Sequence, residues 1–143
     1  MDPRVRKTRQ TIAVLAWLIA GFAIGCGGGP AADTKSAGPT VADGLTNLKG
    51  LYTQAAQGAM TLPKSLAEFT AVEPFFPVAG PFVLGGQIDC DWGAGLKSTA
   101  DAATHRLAFE KRAADEGGWV LLQDGTIREV TADEFRSLLK ATP

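Results

Sequence analysis

Apolar residues recur at helical spacing from Val41 onward. Val41, Leu45, Leu48, Tyr52, Ala55 and Ala59 fall on one stripe, which predicts an amphipathic helix. Thr40, after Pro39, is the expected N-cap, with Asp43 three positions on to complete a capping box. Gly44 and Gly50 each cost about 1 kcal/mol relative to Ala, so this helix needs a surface to pack against. The stripe reads as a core face, with a partner-binding face as the alternative. Leu62-Pro63-Lys64-Ser65-Leu66-Ala67-Glu68-Phe69 predicts a short helical turn, with Pro63 near its start. Glu73-Pro74-Phe75-Phe76-Pro77 ends it, because each residue before a proline is pushed to extended geometry.

The second half of the chain changes period. Pro81-Phe82-Val83-Leu84 is a strand candidate ending at Gly85-Gly86, and Leu107 and Phe109 alternate with polar or small neighbours to predict a strand over 105–111. Trp119–Gln123 and Thr126–Val130 flank Asp124-Gly125, a favoured two-residue hairpin turn. That loop length pairs Leu122 with Ile127 and Trp119 with Val130. It places Val120, Leu122 and Ile127 on one face and Trp119, Leu121 and Val130 on the other. Thr131 and Glu134 then form a capping box, Val130 and Phe135 a hydrophobic staple. Phe135, Leu138 and Leu139 are the expected buried face of a closing helix, with Lys140 in its last turn.

The first forty residues follow other rules. Arg4, Arg6, Lys7 and Arg9 precede an uncharged apolar run from Ile12 to Ile24. As a helix this run reaches about 20 Å, short of the roughly 30 Å hydrocarbon core of a bilayer. A basic start, a short apolar stretch and small residues after it describe a secretory signal. The run stops at Ala23-Ile24-Gly25-Cys26, and residues 27–40 carry no large apolar side chain, as a flexible tether requires.

The stop resembles a bacterial lipobox, with Gly25 before the cleavage point and Cys26 as the first mature residue. The resemblance implies a diacylglycerol on Cys26 Sγ and further acylation (palmitate or a similar chain) of the new amino group. Two or three acyl chains anchor stably, at about 0.8 kcal/mol per buried CH₂. The same pattern also serves a plain cleaved signal, or a short uncleaved anchor with Cys26 as an ordinary residue. The organisation is therefore a signal peptide over 1–25, a tether over 26–40 carrying the lipidated Cys26, and one small domain over 41–143.

Composition narrows the classes. With 45% hydrophobic residues the 143-residue chain is not wholly disordered, and its length suits one domain. The formal charge is −1 overall, and beyond residue 25 ten Lys/Arg stand against fourteen Asp/Glu. A mildly acidic domain gives no nucleic-acid signature. Lipidation of Cys26 would leave Cys90 as the lone thiol.

The expected fold class is α+β: an N-terminal amphipathic helix, a three- to four-stranded antiparallel meander and a short C-terminal helix. This order resembles the soluble part of the type II pseudopilins, especially the prepilin-like family with a His, nine residues, then Asp-Gly. The matching residues are Asn47-Leu48-Lys49 through Tyr52, Leu62-Pro63-Lys64-Ser65-Leu66, Phe109-Glu110-Lys111, and Gly117-Gly118-Trp119 through Asp124-Gly125. Ala114 stands where the family's His falls, and the prepilin peptidase site is absent, with a lipobox in its place. The resemblance thus implies the fold and speaks against filament assembly.

Chemistry is sparse. Asp89-Cys90-Asp91-Trp92 is the one compact polar cluster, and two carboxylates with a thiol offer O and S ligands to a divalent metal. His105, the single His, can be imagined as a partner for Cys90, but no orienting carboxylate singles the pair out. The leading expectation is a non-enzymatic lipoprotein with no cofactor. It would be held to a bacterial membrane by its N-terminal lipid, with the domain outside the cytoplasm, facing the periplasm or the cell surface. Phe75 and Phe76 read as loop side chains covering the core, with an exposed aromatic patch as the alternative. The domain would be presented to an envelope protein, with Phe75, Phe76 and Trp92 as contact residues. The alternative is a small-ligand or metal-binding lipoprotein using Asp89, Cys90 and Asp91.

Overall fold

The computed structural model describes residues 38–143. The signal segment, Cys26 and the tether up to residue 37 lie outside the described residues.

Thr40 caps the first helix as its sequence requires. Its side chain accepts from the Asp43 N–H while the Asp43 carboxylate accepts from the Thr40 N–H at 2.8 Å. Helix α1 runs Val41–Ala56 and buries Leu45, Leu48, Leu51 and Tyr52. Ala59 falls beyond its end, because the C-cap at Gln57 closes the helix a turn earlier than the stripe predicts. Ser65 caps α2 (Leu66–Val72), accepting from the Glu68 N–H. Glu73 stays helical at φ −48° and ψ −41° although it precedes Pro74, contrary to the extended geometry expected there. A single 3₁₀ turn over Glu73–Phe75 follows, with Pro74 in its first positions.

The strand expected at Pro81–Leu84 is instead helical: α3 spans Ala79–Leu84. No local side chain caps it. Asn47 of α1 reaches over, its Oδ1 accepting from the N–H groups of Val78 at 3.3 Å and Ala79 at 3.1 Å. Pro81 sits in the first turn, where a missing N–H costs nothing. Gly44 lets α3 approach, since a Cβ there would stand 2.9 Å from the Phe82 ring.

Four strands form an antiparallel meander in the order β1 (Ile88–Cys90), β2 (His105–Glu110), β3 (Gly118–Leu122) and β4 (Ile127–Val130). Between β2 and β3 lies the single turn α4 (Ala113–Glu116), and after β4 comes α5 (Ala132–Ser137). The α+β class stands. A two-residue strand β5 (Leu139–Lys140) adds parallel to the start of β2, on the same edge that β1 occupies farther along. Residues expected to finish the closing helix therefore leave it early: Leu139 is 57% exposed and Lys140 lies opposite Arg106.

The sheet is covered on both faces. Leu45, Leu48, Leu51, Phe69, Phe76, Val83, Ile88, Leu107, Ala108 and Leu121 pack together on the α1 side. Val120, Leu122, Val130, Phe135 and Leu138 form a second cluster on the α5 side. Leu107 and Ala108 are consecutive yet both belong to the first cluster, because β2 is irregular between Arg106 and Ala108 against β3. This bulge turns Phe109 to the other face, so Leu107 and Phe109 do not share a face as residues two apart in a regular strand would.

The hairpin also differs by one step. Leu122 donates to the Thr126 carbonyl and accepts from the Gly125 N–H, so the loop is Gln123-Asp124-Gly125, three residues long. Gly125 has φ +85°, the left-handed position that ends such a loop in a bulge. The register is Leu121 with Ile127, Val120 with Arg128, Trp119 with Glu129 and Gly118 with Val130. Ile127 thereby joins the α1 face and Val130 the α5 face, the reverse of the two-residue expectation. The capping box of Thr131 and Glu134 is present. Among the described residues no helix is long and apolar enough to cross a membrane.

Candidate functional site

The polar segment 89–92 crosses from the end of β1 into a loop, and strand geometry separates its members. Successive side chains point to opposite faces. Cys90 packs with the α1-side cluster, where the Tyr52 hydroxyl is its polar neighbour. Burial pushes its thiol up to about 12. Asp89 is exposed. Asp91 is 5% exposed and already engaged: Arg106 Nε lies 3.4 Å from Oδ2 and Lys140 Nζ 3.8 Å from Oδ1. Burial raises the Asp91 carboxyl above its usual range, and Arg106, Lys140 and the Ala141 N–H oppose that rise.

The trio Asp89, Cys90 and Asp91 therefore does not converge as a metal ligand set. Its thiol is protonated on one side of the strand and its buried carboxylate is occupied by two cations on the other. Among the described residues, no group of three or more His, Cys, Asp or Glu side chains is placed to hold a metal ion. His105 and Cys90 are not brought together either. His105 stands opposite Leu139, with Nδ1 2.9 Å from the Asp101 carbonyl, whereas Cys90 stands opposite Ala108. A half-buried thiol pushed up this far is a poor nucleophile at neutral pH. Native protein is expected to resist alkylation at pH 8, with Cys90 reacting about a hundredfold faster once urea unfolds the domain. Rapid labelling of the native thiol would contradict its placement.

The three contact candidates separate as well. Phe76 is 2% exposed and belongs to the α1-side core, so it is no contact residue. Trp92 is half-buried, with its ring centroid 5.9 Å from that of the buried Phe69 at 44°. Its main contact is internal. Phe75 is 77% exposed, the most exposed large apolar side chain of the described residues. It sits on a turn held between Pro74 and Pro77, and the Phe76 N–H donates to the Glu73 carbonyl at 2.7 Å to close that turn. One ring is thus fastened in the core so that its neighbour projects into solvent.

Two arrangements have no local signal in the sequence. Arg106 lays its guanidinium 4.8 Å from the ring centres of both Phe109 and Phe135 while pairing with Asp91, which ties β1, β2 and α5 together. Glu110, almost fully buried, accepts from Arg112 Nε at 2.6 Å and from the Trp119 N–H at 3.2 Å, fixing the β2–β3 connection. The Arg106–Asp91 and Trp119–Glu110 contacts join residues that only the folded register brings within reach, whereas Arg112 reaches Glu110 from two positions away. Compared with family models, curated proteins and solved structures, the chain matches none.

Proposed function

We propose that this chain is a non-enzymatic envelope lipoprotein, anchored through Cys26, that presents its α+β domain to an envelope protein. Phe75 carries the reading on the structural side. A phenyl ring 77% exposed beside a buried twin, on a turn whose backbone is closed, is an anchor side chain of the kind that fills a partner's pocket. The basic start, the short apolar run and Gly25-Cys26 support the anchor. Tether residues without large apolar side chains would hold the domain clear of the bilayer surface.

A pseudopilin-like character for the domain belongs to the same reading. Its supports are α1 lying across an antiparallel meander, the Ser65-capped turn after Leu62-Pro63-Lys64, and the Asp124-Gly125 hairpin. Ala114 replaces the family's His, so the domain would keep the scaffold without that residue's role.

The test is the intact mass of the protein extracted from membranes. The expected mass is that of residues 26–143 plus two or three acyl chains. A full-length mass, or a cleaved chain without lipid, would overturn the anchored reading. For the presented surface, a photo-reactive residue at position 75 is expected to crosslink one envelope protein in intact cells. The same probe at the exposed Lys49 of α1 should not capture that protein, and equal capture at both positions would reject Phe75 as the contact.

A further inference from the structure

One edge of the sheet is open. β4 pairs with β3 alone among the described residues. Because Leu122 and Thr126 share a ladder bond, the pleat directs Val120 to Arg128 and Gly118 to Val130 as the bonded pairs. The N–H and C=O groups of Ile127 and Glu129 then point away from β3, and no described residue bonds to them. Such a row of free groups is a template for another extended chain.

A second copy of β4 fits it poorly. Two-fold antiparallel pairing must join outward-facing residues: centred on Arg128 or Glu129 it sets that residue opposite its own copy, and centred on Ile127 it sets Glu129 opposite Gly125, which lies in the hairpin loop outside the strand. Like charges directly opposite destabilise a sheet pair. The chemistry beside the edge favours a different occupant. An open pocket of about 430 Å³ at the Val130 end is lined by Glu116, Glu129, Glu134 and Arg112, with the backbone of Gly117 and Gly118. Arg112 is already committed to Glu110 and Glu116, and Arg128 to Glu134, while Glu129 has no cationic partner among the described residues.

We propose that the β4 edge, with the acidic pocket at its end, docks an extended segment of a partner protein carrying Lys or Arg, by strand addition. Main-chain bonds to Ile127 and Glu129 supply the contact, and a cationic side chain opposite Glu129 supplies the selection. This deepens the reading of the domain as a surface presented to a protein. It names a contact that does not depend on the lipid.

The experiment uses the full chain in detergent micelles and a synthetic peptide, Thr-Lys-Val-Lys-Val-Thr, with Thr-Glu-Val-Glu-Val-Thr as its acidic counterpart. The basic peptide is expected to slow exchange of the Ile127 and Glu129 amides by about tenfold, leaving other exposed amides unchanged. Glu129→Pro removes an outward N–H, a position where an edge strand tolerates proline, and should weaken binding about tenfold. Glu129→Lys keeps the backbone and should reverse the preference between the two peptides, which tests the idea even if the proline variant fails to fold.

Four results would overturn the proposal. These are no protection of the two amides by the basic peptide, equal binding of both peptides, unchanged preference in Glu129→Lys, or the same amides protected by raising protein concentration alone. The last would identify a second copy as the occupant. Failure of the anchored reading is separate, because the mass of the membrane-extracted protein reports it independently.

Discussion

Phe76→Ala is expected to cost the domain about 3–5 kcal/mol, while Phe75→Ala, one residue away, shifts stability by no more than about 0.5 kcal/mol. Phe76 is 2% exposed and packs with Leu45, Leu48, Phe69, Ala79 and Val83 on the α1 side of the sheet. Removing its ring takes away the transfer energy of a large apolar group and leaves a cavity. Phe76 also precedes α3, and the Gly80 N–H donates to its carbonyl at 2.9 Å, so a loosened position 76 disturbs the start of that helix. Phe75 has almost no packing to lose. Urea unfolding of the two variants separates these cases: the Phe76→Ala midpoint should fall steeply and the Phe75→Ala midpoint should match the parent. Equal midpoints would mean that the two rings share one environment, and the presented-anchor reading would lose its support. A double replacement of both rings reports on folding rather than contact, so Phe75 alone is the informative substitution for partner binding.

The elements that the sequence reveals are those whose signal is local. Thr40 with Asp43 and Thr131 with Glu134 carry their caps within four residues, and both boxes form as their spacing predicts. The stripe through Leu45, Leu48 and Tyr52 identifies the core face of α1 for the same reason. Errors gather where a distant residue decides. α3 depends on a cap from Asn47, more than thirty positions earlier, and without that cap Pro81-Phe82-Val83-Leu84 reads as β-branched and aromatic strand material. The sequence predicts a two-residue loop at Asp124-Gly125, and the loop is three residues long because Gln123 joins it. A single step exchanges the faces of Ile127 and Val130. The bulge at Arg106–Ala108 makes the same point within one strand.

The candidate site divides along that line too. Cys90 between two aspartates looks like a ligand cluster when only composition and spacing are seen. Strand alternation then sends the thiol to Tyr52 and a carboxylate to Arg106. Nothing near Asp91 in sequence announces Arg106 or Lys140, since β2 and β5 deliver them by pairing. Phe75 and Phe76 are indistinguishable as letters. Only the closed 3₁₀ turn decides which ring enters the core.

Arg106→Ala is expected to lower stability by about 2–4 kcal/mol at pH 7, and the deficit should shrink on acidification. Two losses combine at neutral pH. The guanidinium leaves the rings of Phe109 and Phe135, and Asp91 keeps its buried charge with only Lys140, 3.8 Å away, as a cationic neighbour. In the parent protein the Asp91 carboxyl already titrates above its ordinary value, because burial outweighs its cations. The folded state therefore takes up this proton more readily than the unfolded chain. The contribution of Asp91 to stability is most favourable below the ordinary carboxyl range and is lost as pH rises through the folded value. Removing Arg106, the largest of the opposing influences, moves that folded value higher still. Lowering the pH from 7 to 4.5 then neutralises Asp91 in the variant first, and the gap to the parent narrows. Asp43, Asp101 and Glu134, whose carboxyls are held below their usual range by hydrogen bonds, act with the opposite sign. They do so in both proteins and cancel in the difference. Urea midpoints of parent and variant at the two pH values measure the effect, and a gap that stays constant or widens would contradict the ion pair. In an Asp91→Asn background the same substitution should cost less and show no pH dependence, because only the contacts with Phe109 and Phe135 remain to be lost. The cluster thus acts as a joint between β1, β2 and the C-terminal segment rather than as a reactive centre, which agrees with the placement of the exposed chemistry at Phe75 and along β4.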